Sequence, residues 1–241
     1  MRLLVTRPKP DAQALVDKLK ALGHEGIAAP MLEVEFLDFS PLQMSNAQAL
    51  IATSRNALRA LAASDALEAA SQLPLYVVSA ATADLAQELG FSDIHDGPGT
   101  AQDLLLLIKA ECPPGEGILI HLAGTRLAFD LKSALEEMNF QVELRAMYQA
   151  RSAEKFNNET LTALAEGELN GVILMSPMTA QTFVTIVDAS DLLEQAAKLS
   201  YFCLSQNVAE PLNIFDGARI LIADKPSEND LLALIAHEAA N

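Results

Sequence analysis

Short apolar runs alternate with helix-spaced amphipathic stretches from one end of the chain to the other. Residues 3–6 read as a strand, and 12–22 as a helix with Ala12, Leu15, Val16, Leu19 and Leu22 on one face, stopped by Gly23. Residues 26–29 are the next strand. The same alternation returns at 50–53, 75–78, 92–95, 118–121, 171–175, 201–204 and 219–223. Helical segments follow, among them 101–110, 127–138, a polar one near 160–168 and a last one ending near 239. Strands that are apolar throughout belong to parallel sheets covered on both faces by helices. Roughly ten strands exceed one comfortable open sheet in 241 residues, so two sheets of about five are predicted.

Two stretches break this rhythm. Residues 140–152, FQVELRAMYQARS, contain no Gly, Pro or Asn and outrun an ordinary strand of about 5–6 residues. Residues 31–39, MLEVEFLDF, have the same extended character, with Glu33, Glu35 and Asp38 where the later stretch has Arg145 and Arg151. Opposite charges across a ladder help pairing modestly. The two stretches are therefore expected to pair as connectors between lobes, with Tyr148 where they cross. The halves also resemble each other: LIATSRNALRAL beside ILMSPMTAQTF, and LYVVSAATADLAQELG beside YFCLSQNVAEPLNIFDG. The predicted fold is α/β, with two similar lobes, each a mostly parallel five-stranded sheet flanked by helices, joined by a two-stranded hinge. Lobe 1 comprises 1–33 plus 153–241, lobe 2 comprises 37–146, and 34–36 with 147–152 are the hinge connectors.

A formal net charge of −16 repels nucleic acid and anionic membrane, so neither is an expected partner. Cys112 and Cys203 lie far apart and outside any C-x-x-C, which argues against a disulfide framework, a zinc site or a thioredoxin centre. The four histidines, His24, His95, His121 and His237, form no metal spacing. His121, on an apolar strand, reads as a core or supporting residue rather than a base. Gly97–Pro98–Gly99 lacks the third glycine of a dinucleotide fingerprint, Gln102 standing in its place. There is no phosphate-binding G-x-x-x-x-G-K and no G-x-S-x-G. No cofactor or metal is expected. The chain starts almost at once on a strand and has no apolar run of about 18 residues, so a cytoplasmic protein is expected. Few exposed apolar runs suggest a monomer.

In open parallel sheets, ligands bind beyond the carboxyl ends of the strands, where helix N-termini present free N–H groups. Those ends are rich here in small hydroxyl residues: Thr6, Thr53, Ser54, Ser79, Thr82, Ser176, Thr179 and Ser205. Each is also an ordinary helix cap, which is the commoner reading of any one taken alone. Arg7, Arg55 and Arg126 lie just beyond strands, and Gly124 belongs to the LAGTR run that follows the strand at 118–121. Loop arginines are often merely exposed. If the lobes face each other, these residues make a donor-rich, locally positive cleft suited to a polyanion. Tyr148 is either a functional phenol or an amphipathic packing residue.

Six short motifs, in order, carry a resemblance: VTRP at 5–8, ATSRNAL at 52–58, TA at 82–83, LAGTR at 122–126, MYQ at 147–149 and SP at 176–177. With these, the whole chain resembles the bacterial uroporphyrinogen-III synthases. It departs from them at Ser79 and Ser205, where that family often has Gly, and at Val208, where it often has Thr. The resemblance implies cyclisation of hydroxymethylbilane to uroporphyrinogen III, with inversion of the last ring and loss of water, in tetrapyrrole (haem) biosynthesis. It implies a linear octacarboxylate tetrapyrrole as small-molecule substrate, no cofactor, and Tyr148 as the residue helping the hydroxyl leave. The substrate carboxylates are then expected at Thr6, Arg7, Ser54, Arg55, Ser79, Thr82, Gly124, Arg126, Ser176, Thr179 and Ser205. The alternatives are a hinged small-molecule binding protein or sensor without catalysis, and a two-lobed sugar or nucleotide transferase.

Overall fold

The computed structural model describes residues 1–9, 11–39 and 44–239. In chain order the elements are β1 (Arg2–Val5), α1 (Asp11–Ala21), β2 (Glu25–Ala28), β3 (Leu32–Phe36), β4 (Ala47–Ala52), α2 (Arg55–Ala62), α3 (Leu67–Ala70), β5 (Leu75–Val77) and α4 (Ala80–Glu88). They continue with β6 (Ile94–Asp96), α5 (Ala101–Glu111), β7 (Ile118–Gly124), α6 (Leu131–Glu136), β8 (Gln141–Ser152), α7 (Asn158–Ala165) and β9 (Gly171–Leu174). The last are α8 (Pro177–Ala189), α9 (Leu193–Ala196), β10 (Ser200–Cys203), α10 (Gln206–Ala209), β11 (Arg219–Ile222) and α11 (Glu228–Ala239). The chain divides into two compact units: Met1–Glu33 with Arg151–Asn241, and Val34–Ala150. Both divisions fall inside a strand, β3 and β8.

The first unit carries a five-stranded sheet in the order β11-β10-β9-β1-β2, and its strand pairs are all parallel. In β1, Leu3, Leu4 and Val5 are all fully buried, because both sheet faces are covered. Leu4 joins the layer of Phe183, Val187 and Tyr201, while Leu3 and Val5 join Leu15, Leu19 and Ile235. The Tyr201 hydroxyl donates to the Ala196 carbonyl at 2.8 Å and its ring stacks on Phe215 at 5.4 Å. The phenol thus keeps a partner inside an apolar layer.

One glycine in this sheet is required by close packing. A Cβ on Gly171 would stand 2.4 Å from the Ser200 carbonyl oxygen and 3.0 Å from the Phe202 ring. Backbone cannot swing aside as a side-chain tip can. Gly171→Ala is therefore expected to lower stability by about 2 kcal/mol, read from the urea midpoint, with the m-value unchanged.

The second unit carries a six-stranded sheet in the order β3-β8-β7-β4-β5-β6. The pairs from β8 to β6 are parallel. At its edge, Leu37 N–H donates to Met147 O at 3.0 Å and Ala153 N–H to Met31 O at 2.9 Å, so β3 runs antiparallel to β8. The two long stretches do pair, and β3 makes a sixth strand where five are expected. One face of the sheet packs Leu50, Leu58, Leu61, Ile120 and Met147; the other packs Ile51, Leu104, Ile108, Leu119 and Leu131.

Local chemistry moves some boundaries. The helix expected over 127–138 shrinks to α6 because the Asp130 carboxylate accepts from Ser133 N–H at 3.1 Å and caps it there. The expected charge pairing across the connectors differs for Arg145, whose guanidinium bonds Glu143, two residues back on the same strand face. At the same ladder, Gln149 Nε2 donates to Glu35 Oε2 at 2.7 Å.

Candidate active site

In the first unit the register sets Val5 level with Ile173, and Ile173 level with Phe202. Thr6, Ser176 and Ser205 therefore follow neighbouring strands at one carboxyl end. Their hydroxyls are not equivalent. Thr6 is fully buried and its Oγ1 donates to the Ile173 carbonyl at 2.7 Å, tying β1 to β9. Arg7 forms ion pairs with Glu228 and, at 3.3 Å, with Asp11, so its charge is balanced within the unit. Ser176 caps α8: its Oγ accepts from Thr179 N–H at 3.1 Å, and Thr179 Oγ1 accepts from Ser176 N–H at 3.3 Å. Such a reciprocal box satisfies two otherwise orphaned donors. Ser176→Ala is expected to lower stability by about 1 kcal/mol, measured by thermal or urea unfolding. Ser205 has extended backbone and its hydroxyl makes no bond to the short helix α10 that follows, although its carbonyl accepts from Val208 N–H at 3.1 Å.

In the second unit Leu122 is level with Ala52, and Ala52 with Val77. Ser54, Ser79 and Gly124 thus gather at the carboxyl end of this sheet. Ser54 Oγ accepts from Asn56 N–H at 3.2 Å and caps α2, with Arg55 half-buried at its first position. Ser79 makes no side-chain bond to an N–H of α4; its hydroxyl instead lies 3.2 Å from that of Thr82, which is 3% exposed. Ala80 and Ala81, the first residues of α4, are exposed. Thr82 and Ala83 N–H bond the Ser79 carbonyl, while among the described residues the N–H groups of Ala80 and Ala81 have no acceptor and stay open to an anion. Those two positions fall outside the hydroxyl pattern of the strand ends, and in the sequence only their smallness beside Ser79 marks them. Arg126 is exposed and forms no ion pair among the described residues.

Tyr148 belongs to β8 and pairs with Gly124 of β7. The register shifts between Ala123 and Gly124: Ala146 faces Ala123, Tyr148 faces Gly124, and Met147 is the extra residue. Met147 is fully buried, while Tyr148 is half-buried. Bulges of this kind re-aim a side chain and recur beside active sites. Gly124 lies two residues beyond Leu122, or about 6–7 Å further along the strand. The phenol is thereby carried to the same carboxyl end as Ser54 and Ser79.

Below this end, on β7, His121 is 1% exposed. Its Nε2 lies 3.2 Å from Thr53 Oγ1, and its Nδ1 has no partner among the described residues. Burial pushes its pKa down to about 4, opposed in part by the charge of Asp130. The imidazole is uncharged at neutral pH and supports the turn entering α2. The structure thus assembles two sets at two sheet ends: Thr6, Arg7, Ser176, Thr179 and Ser205 in one unit, and Ser54, Arg55, Ser79, Thr82, Gly124, Arg126 and Tyr148 in the other. Among the described residues no three His, Cys, Asp or Glu side chains cluster as metal ligands.

Residues 13–233 match the family model described as uroporphyrinogen-III synthase HemD. A curated relative, the porphyrin biosynthesis protein HemD of Ruminiclostridium josui, is 24% identical over 96% of this chain and 47% of its own length. The chain therefore spans about half the length of that relative. Among solved structures, the uroporphyrinogen-III synthetase of Helicobacter pylori superposes with a TM-score of 0.66 at 18% identity, covering 99% of this chain and 100% of the other. A mutant uroporphyrinogen III synthase of Thermus thermophilus gives 0.59 at 20% identity, covering 100% and 98%. These likenesses bear on the fold, and agree with two helix-flanked sheets.

Proposed function

The chain belongs to the uroporphyrinogen-III synthase HemD family, and from that premise we propose that it cyclises hydroxymethylbilane to uroporphyrinogen III. The observation that carries this reading is the phenol of Tyr148, brought by a bulge to the sheet end where Ser54, Ser79 and the open N-terminus of α4 lie. The proposed substrate is a flexible octacarboxylate that is already reactive. Loss of its terminal hydroxyl as water leaves an electrophilic azafulvene, and unaided closure then gives the uninverted isomer. To form the inverted isomer, the substituted carbon of the last ring must attack first, giving a spiro intermediate that fragments and recloses. Such work is conformational restraint with modest acid assistance.

Tyr148 is assigned to donate a hydrogen bond to the departing hydroxyl. The N–H groups opening α2, α4 and α8, with Arg126, Arg55 and the hydroxyls of Ser54, Ser79, Thr82, Ser176, Thr179 and Ser205, are assigned to the carboxylates. Thr6 and Arg7 are assigned a shaping role, since their polar atoms are engaged within the fold. Residues 34–36 and 147–152 are assigned as the connectors of two lobes. Among the described residues no helix is long and apolar enough to cross a membrane. The enzyme is taken to act in the cytoplasm as a monomer.

Incubation with freshly made hydroxymethylbilane, followed by separation of the product isomers, tests the reading. Type III product is expected. Type I product alone would leave the alternative, a protein of the same fold that binds a small molecule without turning it over.

A further inference from the structure

The geometry points to Gly124 as the residue that positions the Tyr148 phenol, by leaving the space on which the ring lies. This inference rests on the synthase reading, in which that phenol assists departure of the hydroxyl. A Cβ built on Gly124 would stand 2.8 Å from Tyr148 Cζ and 3.0 Å from both its Cε2 and its hydroxyl oxygen. The outer half of the ring therefore rests directly over the Gly124 Cα.

The backbone around the tyrosine has little freedom. Thr125 N–H donates to Tyr148 O at 3.0 Å on one side, and Leu37 N–H donates to Met147 O at 3.0 Å on the other. Met147 is anchored in the apolar layer. With main chain held from both flanks, the place of the hydroxyl is decided by the side-chain torsions, and those by what the ring rests on. Gly124 also has no left-handed backbone angle, unlike the positive-φ glycines of the turns. An alanine there meets no backbone strain, only the ring. Gly124 is thus a positioning residue, a role different from contact with a substrate carboxylate.

The test compares wild type, Gly124→Ala, Tyr148→Phe and the double variant. Gly124→Ala is expected to fold with a melting temperature close to wild type and to lose turnover almost as far as Tyr148→Phe, by about 100-fold, with KM within about twofold. In the Tyr148→Phe background the alanine should change kcat by less than about twofold, since the hydroxyl it displaces is already gone. The chain has three tyrosines, and Tyr76 and Tyr201 are 3% and 0% exposed. Labelling tyrosine with carbon-13 at the ring ζ position should therefore show one resonance, removed by Tyr148→Phe, that Gly124→Ala shifts while the other two stay. This readout needs no substrate.

An unmoved resonance overturns the inference, as does a shifted resonance with unchanged kcat. An equal loss in both backgrounds overturns it too, because Gly124 would then be acting other than through the phenol. A variant that does not fold is equally adverse, since the ring and not the backbone must give way. A wild type yielding only type I product is a separate result: it removes the synthase reading, and the positioning role with it.

Discussion

Tyr148→Phe is expected to lower the kcat for type III product by about 100-fold, the smaller end of what a positioned proton donor contributes. KM should change little, because the ring and its packing are retained. The melting temperature should stay near wild type, since the residue is half-buried and no hydrogen bond to its hydroxyl enters the fold among the described residues. The measurement is a coupled assay in which the porphyrinogen isomers are separated after oxidation. Unchanged turnover would remove Tyr148 from the chemistry. On the synthase reading, any one carboxylate holder should matter less, because an octacarboxylate would offer about eight anchors to share the load and backbone donors survive side-chain substitution.

The second large effect is on stability in acid. His121 has an ordinary value of 6.5 in the unfolded chain and about 4 in the folded one, with burial as the principal cause. As pH falls through 6.5 the unfolded chain takes up a proton that the folded chain refuses. Stability is therefore full above pH 6.5 and declines toward pH 4, by about 3 kcal/mol in all. Urea midpoints at pH 7 and pH 4.5 should differ more for wild type than for His121→Gln, which cannot titrate. Parallel profiles for the two proteins would show that His121 is not responsible for the acid loss. A second readout follows from the contact with Thr53: the same substitution at pH 7 should disturb the turn leading to Ser54 and raise KM more than it lowers kcat.

Much of the architecture was legible because it is written in periodicity. Leu3, Leu4 and Val5 form an unbroken apolar run, and that alone indicates a strand covered on both faces. The pairing of 31–39 with 140–152 was legible from length and the lack of Gly or Pro in the longer stretch. What stayed hidden depends on partners remote in sequence. No local signal says that Thr6 will spend its hydroxyl on Ile173, or that Arg7 will meet Glu228 from the opposite end of the chain. Both read as ligand-facing groups because they follow a strand, and both are engaged by the fold. The bulge at Met147 was equally invisible, since an extra residue exists only relative to the strand beside it. Ser176 and Ser205 occupy the same place in their units, yet the hydroxyl of one closes a capping box and that of the other makes no bond to its helix. At the third helical residue Thr179 returns its hydroxyl to Ser176 N–H, which Val208 at the matching place cannot do.

The division of the chain inside β3 and β8 governs how the protein emerges from the ribosome. Residues 34–150 are contiguous and can collapse as soon as they are translated, whereas β1 must wait for β9, its neighbour at Leu3 and Gly171. β1 lies inside its sheet and has only β2 for company until translation reaches β9 at Gly171. During that interval its apolar face is exposed to chaperones and to other nascent chains. Truncations from the carboxyl end should therefore leave the internal unit folded and the amino-terminal one adrift.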